Sequence, residues 1–367
     1  MQAPSFDHAS QQPPPGQSDS PIFVVSMWRS GSSLLYALLN KHPKVGLMYE
    51  ADLILLRSVF FKSRRFCDWA QRWQFWDKAF TRHNLDPDEF ARKGIGDFPT
   101  AFAAVHTEFA KRKGATIWGD KSPNYYDRLR YLAGIFPQAK FIIVWRDPLG
   151  TANSIARAAA TGNHYFNRRG AALRGLIGYG IFKQQVEWLR ANGRLVHELS
   201  YEDLTTDTAG VMQSVCGFLQ IPYSEDLATL QGADRSAIFD GQHHAFVKGE
   251  KIVSGPRPSL ISEIFHAKTN RYLAFWRSRY TGNWPPYPLP DGSSAKPAGL
   301  FERTLDKTAY FGIRAFEAFT RICFCMVPLS WLQRYRNEKY RAVVSNSGED
   351  GVVAPSTKPR PVAPKEA

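Results

Sequence analysis

Residues 29–33, Arg-Ser-Gly-Ser-Ser, concentrate the groups best able to grip a phosphate. They follow a short β-branched apolar run, Ile22 to Val25, and precede Leu34, Leu35, Leu38 and Leu39 at helical spacing. A helix start leaves backbone N–H groups unpartnered and carries partial positive charge, so Ser30, Gly31, Ser32 and Ser33 form a natural anion cradle. Arg29 beside that positive end is unfavourable unless an anion shares the site. The plainer alternative is an ordinary helix cap next to a chance arginine. Two further cations end apolar runs: Lys121 closes Ala115-Thr-Ile-Trp-Gly-Asp-Lys, and Arg146 closes Lys140-Phe-Ile-Ile-Val-Trp-Arg. In open α/β sheets ligands bind beyond the carboxyl ends of the strands. Lys121 and Arg146 therefore point to an anion site on one edge, against the alternative of two solvated strand-end charges.

To position these groups the chain needs a strand, loop and helix over Pro21 to Glu50, with Val45 to Glu50 as a second strand. Against the nucleotide-kinase loop G-x-x-x-x-G-K-[ST], aligned on Gly31, Ser26 replaces the first Gly and Ser32 replaces the Lys that reaches the β/γ-phosphates. The basic side chain has moved to Arg29, which suggests a nucleotide anion without a magnesium-bound triphosphate. A nucleotide or small-molecule kinase with a variant loop is one alternative. A non-enzymatic basic protein binding nucleic acid or membrane is another.

The order Arg-Ser-Gly-Ser-Ser-Leu-Leu, a helix, then His42-Pro43 resembles the 5′-phosphosulfate loop of sulfotransferases that use 3′-phosphoadenosine 5′-phosphosulfate (PAPS). Arg146-Asp-Pro with Ser154 eight residues on is similar to that family's 3′-phosphate site, and Tyr201-Glu-Asp-Leu resembles its tyrosine near the adenine. The resemblance runs from Pro21 to Phe218. It implies a P-loop-like, three-layer α/β fold with a central parallel sheet flanked by helices. It also implies transfer of a sulfuryl group from PAPS to a hydroxyl of a carbohydrate, glycolipid or other small acceptor, with no metal required and 3′-phosphoadenosine 5′-phosphate released.

By the same resemblance Arg29 and Lys121 are catalytic cations, while Arg29, Ser30, Gly31, Ser32, Ser33, Arg146, Ser154 and Tyr201 hold PAPS. Glu50 is the implied base. It stands twenty-one residues after Arg29, a spacing similar to tyrosylprotein-like and related carboxylate-base sulfotransferases. The small-molecule enzymes that use a His place it two residues after the lysine, where this chain has Pro123. A helix-cap or salt-bridge carboxylate is the plain alternative for Glu50. Asp52 is the nearest substitute, though on a strand its side chain would leave the opposite face. Ser26 and Trp28 depart from the family's common Gly and Pro. Lys248 and Lys251 have no clean match to its late 3′-phosphate loop.

With 367 residues and 44% hydrophobic content the chain can bury the core of one large α/β domain. Its formal net charge of +14 asks for anionic partners without choosing among them; no nucleic-acid partner is expected. Cys67, Cys216, Cys323 and Cys325 have the spacing of neither a zinc site nor a disulfide framework, so a reducing compartment is expected. Residues 1–20 lack the charged start and apolar centre of a secretory signal, and no apolar run reaches the roughly 18 residues of a spanning helix. The expectation is a cytoplasmic enzyme, peripheral on the inner membrane face if it contacts membrane.

Residues 1–20 read as a disordered leader and 21–284 as the catalytic domain. Within it, 51–115 forms an aromatic-rich helical insertion, read as core or as a cap over the acceptor. Asp86 is expected to cap a helix, with Pro87 at its first position and Glu89 completing a capping box. His42 reads as a capping residue, and Gln242 to Gly255 as a polar loop. Residues 285–299 form a Pro-rich linker and 344–367 a disordered tail. Between them, 300–343 carries eight Lys or Arg against four Asp or Glu. Its apolar face (Leu305, Ala309, Gly312, Phe316, Phe319, Cys323, Met326) predicts a basic amphipathic helix that docks on the domain or on a membrane surface.

Overall fold

The computed structural model describes residues 20–56, Trp73, 76–160, 171–238, 245–249, 251 and 252, and scattered positions between 304 and 334. The leader up to residue 19, the linker, the tail and most of 300–343 lie outside the described residues.

Five parallel strands form one sheet: β1 (Ile22–Ser26), β2 (Val45–Tyr49), β3 (Ile117–Lys121), β4 (Lys140–Trp145) and β5 (Leu195–Ser200), in the order β2-β3-β1-β4-β5. β1, β2 and β3 are buried at every residue, as parallel strands covered on both faces should be. On one face Phe23, Val25, Trp118, Phe141 and Ile143 pack under Phe98–Arg112, Leu129–Ile135 and Ala171–Ala191. On the other, Ile22, Val24, Ile117, Ile142 and Val144 pack under Ser32–Leu39 and Thr208–Leu219. Among the described residues the α-helices in chain order are α1 (Ser32–Leu39), α2 (Asp77–Arg82), α3 (Pro87–Arg92), α4 (Phe98–Arg112), α5 (Leu129–Ile135), α6 (Pro148–Ala160), α7 (Ala171–Ala191), α8 (Tyr201–Thr206), α9 (Thr208–Leu219) and α10 (Ala245–Lys248). α4 lies so close to β2 that a Cβ on Gly46 would fall 2.6 Å from Ala110 Cα.

In the helical insertion Trp73, Trp76, Phe80 and Phe90 are fully buried, with Trp73 stacked on Phe90 at 5.5 Å. These four rings belong to the hydrophobic core. Asp86 caps α3 by accepting from Asp88 N at 3.0 Å. The capping-box expectation needs correction, because the Glu89 carboxylate turns instead to Arg112 Nη2 at 2.6 Å. His42 is structural: Nε2 lies 3.0 Å from the Pro222 carbonyl, and Nδ1 accepts from Lys44 N. The run from Tyr201 to Leu219 is two helices, since Asp207 ends α8 and caps α9 by accepting from Gly210 N. The expected polar loop at 242–255 contains the short α10.

Among the described residues no helix is long and apolar enough to cross a membrane. In the basic segment Gly312 and Phe319, two positions of the expected apolar face, are exposed, as is Trp331, whereas Leu332 packs against the core.

Candidate active site

β1 ends in the middle of the sheet and runs into the loop Met27–Gly31, whose last residue is the N-cap of α1. Gly31 has φ 89°, and a Cβ there would sit 2.1 Å from Tyr201 Cδ2. Both the backbone and the close approach of the ring demand glycine. Gly31→Ala is therefore expected to cost at least about 1 kcal/mol from the left-handed backbone alone. It should also push Tyr201 off the loop, so that thermal stability and nucleotide affinity fall together. Ser26 Oγ lies 2.9 Å from Ser32 Oγ, joining the ends of the loop where the comparison pattern has Gly.

Two arginines meet at this loop, Arg29 within it and Arg146 beside it. Arg29, itself at φ 66°, donates through Nε to Ser154 Oγ on α6 at 3.2 Å. Arg146, just past β4, donates through Nη1 to the Arg29 carbonyl at 2.8 Å and stacks over the Tyr201 ring at 4.3 Å. Burial, reinforced by the charge of Arg146, pulls the Arg29 guanidinium down to about 10. Two enclosed cations held together carry an electrostatic cost that an anion in the cradle would offset. Arg146 stays beside the loop because Asp147 opens α6, its Oδ2 accepting from Gly150 N at 2.7 Å.

On the other side of β1, the register sets Tyr49 opposite Lys121, and Glu50 N donates to the Lys121 carbonyl at 2.8 Å. β2 stops there and Glu50 turns into the left-handed region at φ 47°. For a non-glycine residue this is strained by about 1–3 kcal/mol and is characteristic of functional turns. Arg82 Nη1 holds the turn by donating to the Tyr49 and Glu50 carbonyls at 3.2 and 3.1 Å. His83, kept neutral by burial that lowers it to about 4, accepts from Tyr49 N through Nε2. The turn delivers Glu50 Oε1 to within 2.6 Å of Lys121 Nζ. Lys121 is 1% exposed and also donates to Ser33 Oγ, in the first turn of α1, at 3.0 Å. Its ammonium lies 4.2 Å above the Tyr49 ring, whose hydroxyl is 2.8 Å from the same Ser33 Oγ. Burial lowers the Lys121 pKa, and the Glu50 carboxylate works against that fall.

Asp52 is not a spare for Glu50. It does not leave the far face of a strand, because β2 has already ended; it has φ 55° and points back at the segment after Lys121. Its Oδ1 accepts from Ser122 Oγ at 2.5 Å and its Oδ2 from Asn124 Nδ2 at 2.8 Å.

The structure thus brings Arg29, Ser30, Gly31, Ser32, Ser33, Glu50, Lys121, Arg146, Ser154 and Tyr201 to one edge of the sheet. Ser30 stands behind the loop, its Oγ 3.5 Å from Thr151 Oγ1. Sequence reasoning missed Tyr49, Arg82, His83, Ser122 and Asn124, all of which support the site. Only Ser122 and Asn124, beside Lys121, lay where a search around the cation could have found them.

Residues 21–225 match a family model described as sulfotransferase family. The chain is 26% identical over 210 residues to protein-tyrosine sulfotransferase A of Caenorhabditis elegans, covering 56% of this chain and 50% of the relative. It is 25% identical over 221 residues to protein-tyrosine sulfotransferase 1 of Danio rerio, covering 56% and 54%. The chain thus spans about half the length of these relatives. Among solved structures it is similar to the sulfotransferase domain of the Synechococcus PCC 7002 olefin synthase, with TM-score 0.46 and 19% identity over 76% of this chain and 99% of that one. An arginine-bearing anion loop at the end of β1, cations at the ends of β3 and β4, and a family match over more than half of the sequence lead to one assignment: the chain belongs to the sulfotransferase family.

Proposed function

We propose that the protein transfers a sulfuryl group from PAPS to an acceptor hydroxyl. The observation that carries this reading is the Glu50 carboxylate 2.6 Å from the Lys121 ammonium, at the mouth of the loop that starts α1. PAPS would supply the activated sulfuryl group. The residues present fit such an anion, because the paired guanidiniums of Arg29 and Arg146 and the free N–H groups of α1 surround one cradle. In this reading Arg29 and Ser30 to Ser33 hold the 5′-phosphosulfate. Arg146 and Ser154 hold the 3′-phosphate, and Tyr201 lies beside the adenine. Glu50 takes the proton from the acceptor hydroxyl as the new S–O bond forms. Lys121 and Arg29 neutralise the sulfuryl oxygens and the charge that builds on the departing phosphate.

The relatives are named protein-tyrosine sulfotransferases, which favours a tyrosine hydroxyl over the carbohydrate or glycolipid hydroxyl expected from the sequence. Acidity supports the same choice, since a phenol near pKa 10 gives up its proton to a carboxylate more readily than an aliphatic alcohol does. The test has two arms. Calorimetric titration with 3′-phosphoadenosine 5′-phosphate should show binding that needs the 3′-phosphate and ignores magnesium; binding of ATP only with magnesium would favour a kinase instead. Transfer from radiolabelled PAPS should then be stronger to a tyrosine peptide than to a sugar or glycolipid, and the reverse order would restore the carbohydrate acceptor.

Arg146→Ala is expected to weaken 3′-phosphoadenosine 5′-phosphate by about tenfold to a hundredfold, the worth of a lost hydrogen bond to a charged group. Adenosine 5′-phosphate should change much less. Equal losses for both nucleotides would remove Arg146 from the 3′-phosphate site.

A further inference from the structure

Asp52 ties together three parts of the site that sequence keeps apart. It lies two residues beyond Glu50. Its carboxylate accepts from Ser122 Oγ and Asn124 Nδ2, and Ser122 directly follows Lys121. Asn124 in turn accepts from the Trp28 indole through Oδ1 at 2.9 Å, and Trp28 directly precedes Arg29. The Trp28 ring also packs edge-on against Tyr126, with centroids 6.0 Å apart. Ser122 Oγ accepts in addition from Asn124 N at 3.1 Å, which uses the hydroxyl in both senses and fixes its proton on Asp52. Two donors therefore converge on two acceptor oxygens, an arrangement that an ionised carboxylate completes and a protonated acid does not.

We propose that Asp52 is a positioning residue that, as the carboxylate, fixes Lys121 and Arg29 relative to Glu50 through Ser122, Asn124 and the Trp28 indole. The chain from Asp52 to Trp28 crosses the site without passing through Glu50, Lys121 or Arg29. Among the described residues the charged and titratable groups around Asp52 are Glu50 on its own segment, Asp120 and Lys121 on β3, and the Tyr125 phenol on the turn beyond it. Arg82 is committed to the backbone of the Glu50 turn. Burial first, then the negative charges of Glu50 and Asp120, push the Asp52 carboxyl up to about 7, against the pull of Ser122 and Asn124. The completed arrangement consequently forms as pH rises through neutrality. Because the folded value lies above the unfolded one, the stability that the protonated carboxyl contributes is full below about 4 and is lost as pH rises through about 7. The protein thus gives up some stability at the pH where the geometry is complete.

The inference rests on the sulfotransferase reading for its catalytic consequence, but its structural part can be tested without turnover. The probe is the Trp28 indole N–H signal in nitrogen-15 NMR spectra of the full chain, assigned by Trp28→Phe. In the wild type this signal should titrate with a midpoint near pH 7; in Asp52→Asn it should not move over the same range. Asp52→Asn should also melt higher relative to wild type at pH 8 than at pH 5. In the transfer assay Asp52→Asn and Asp52→Ala should lower kcat by up to about a hundredfold, as for an ångström-scale misplacement, with affinity for 3′-phosphoadenosine 5′-phosphate within a few-fold of wild type. An indole signal that titrates identically in wild type and Asp52→Asn would overturn the proposal. So would kcat within twofold of wild type in both variants. Should the wild type transfer no sulfuryl group to any acceptor, the functional reading falls, while the indole titration still decides whether Asp52 organises this edge.

Discussion

Glu50→Gln is expected to lower turnover by about a hundredfold to ten-thousandfold, the range spanned by general-base catalysis, while binding 3′-phosphoadenosine 5′-phosphate almost as the wild type does. Glutamine keeps the shape of the side chain and an oxygen to accept from Lys121, and it leaves undisturbed the backbone bonds that hold the turn, from Glu50 N to the Lys121 carbonyl and from Arg82 to the Glu50 carbonyl. It removes the group able to take the acceptor proton. Single-turnover transfer from radiolabelled PAPS, run beside calorimetry with the product nucleotide, separates the two effects. Full transfer in this variant would return Glu50 to its plain reading, a salt-bridge carboxylate.

Lys121→Met should lower kcat by about a hundredfold to a thousandfold, as removal of one preorganised charge-stabilising group does elsewhere. Methionine is close in length and fits a position that is 1% exposed above the Tyr49 ring, so the cavity left is small. The ammonium's three interactions, with Glu50, Ser33 and the Tyr49 face, all disappear. Discrimination in favour of the 3′-phosphate should survive, because Arg146 and Ser154 sit on the other side of β1. A variant that kept kcat but lost nucleotide affinity would make Lys121 a binding residue with no special role in transfer.

Much of this site was legible in the sequence because it follows from local rules. A β-branched run, a small polar loop and a leucine-spaced helix define the anion cradle, and Lys121 and Arg146 each end an apolar strand. What could not be read depends on partners far apart in the chain. Nothing near Asp52 signals that β2 stops at Tyr49, or that Glu50 and Asp52 adopt left-handed conformations ordinarily given to glycine. That geometry is imposed by Arg82 and His83, which come from α2 and the residue that follows it. Glu89 shows the same limit from the other direction. Its local pattern fits a capping box, but Arg112 on α4 offers a stronger partner and the local signal loses.

The strand order has a consequence for how such an enzyme can change. β1 divides the sheet, with β3 and β2 on one side supplying Lys121 and Glu50, and β4 and β5 on the other leading to Arg146, Ser154 and Tyr201. In the proposed reading, the groups that handle the acceptor and those that hold the 3′-phosphate and adenine come from successive stretches of chain on opposite sides of β1. Recombination between relatives at a crossover just after β3 would exchange Glu50 and Lys121 as a block together with the loop Arg29 to Ser33, while leaving Arg146, Ser154 and Tyr201 in place.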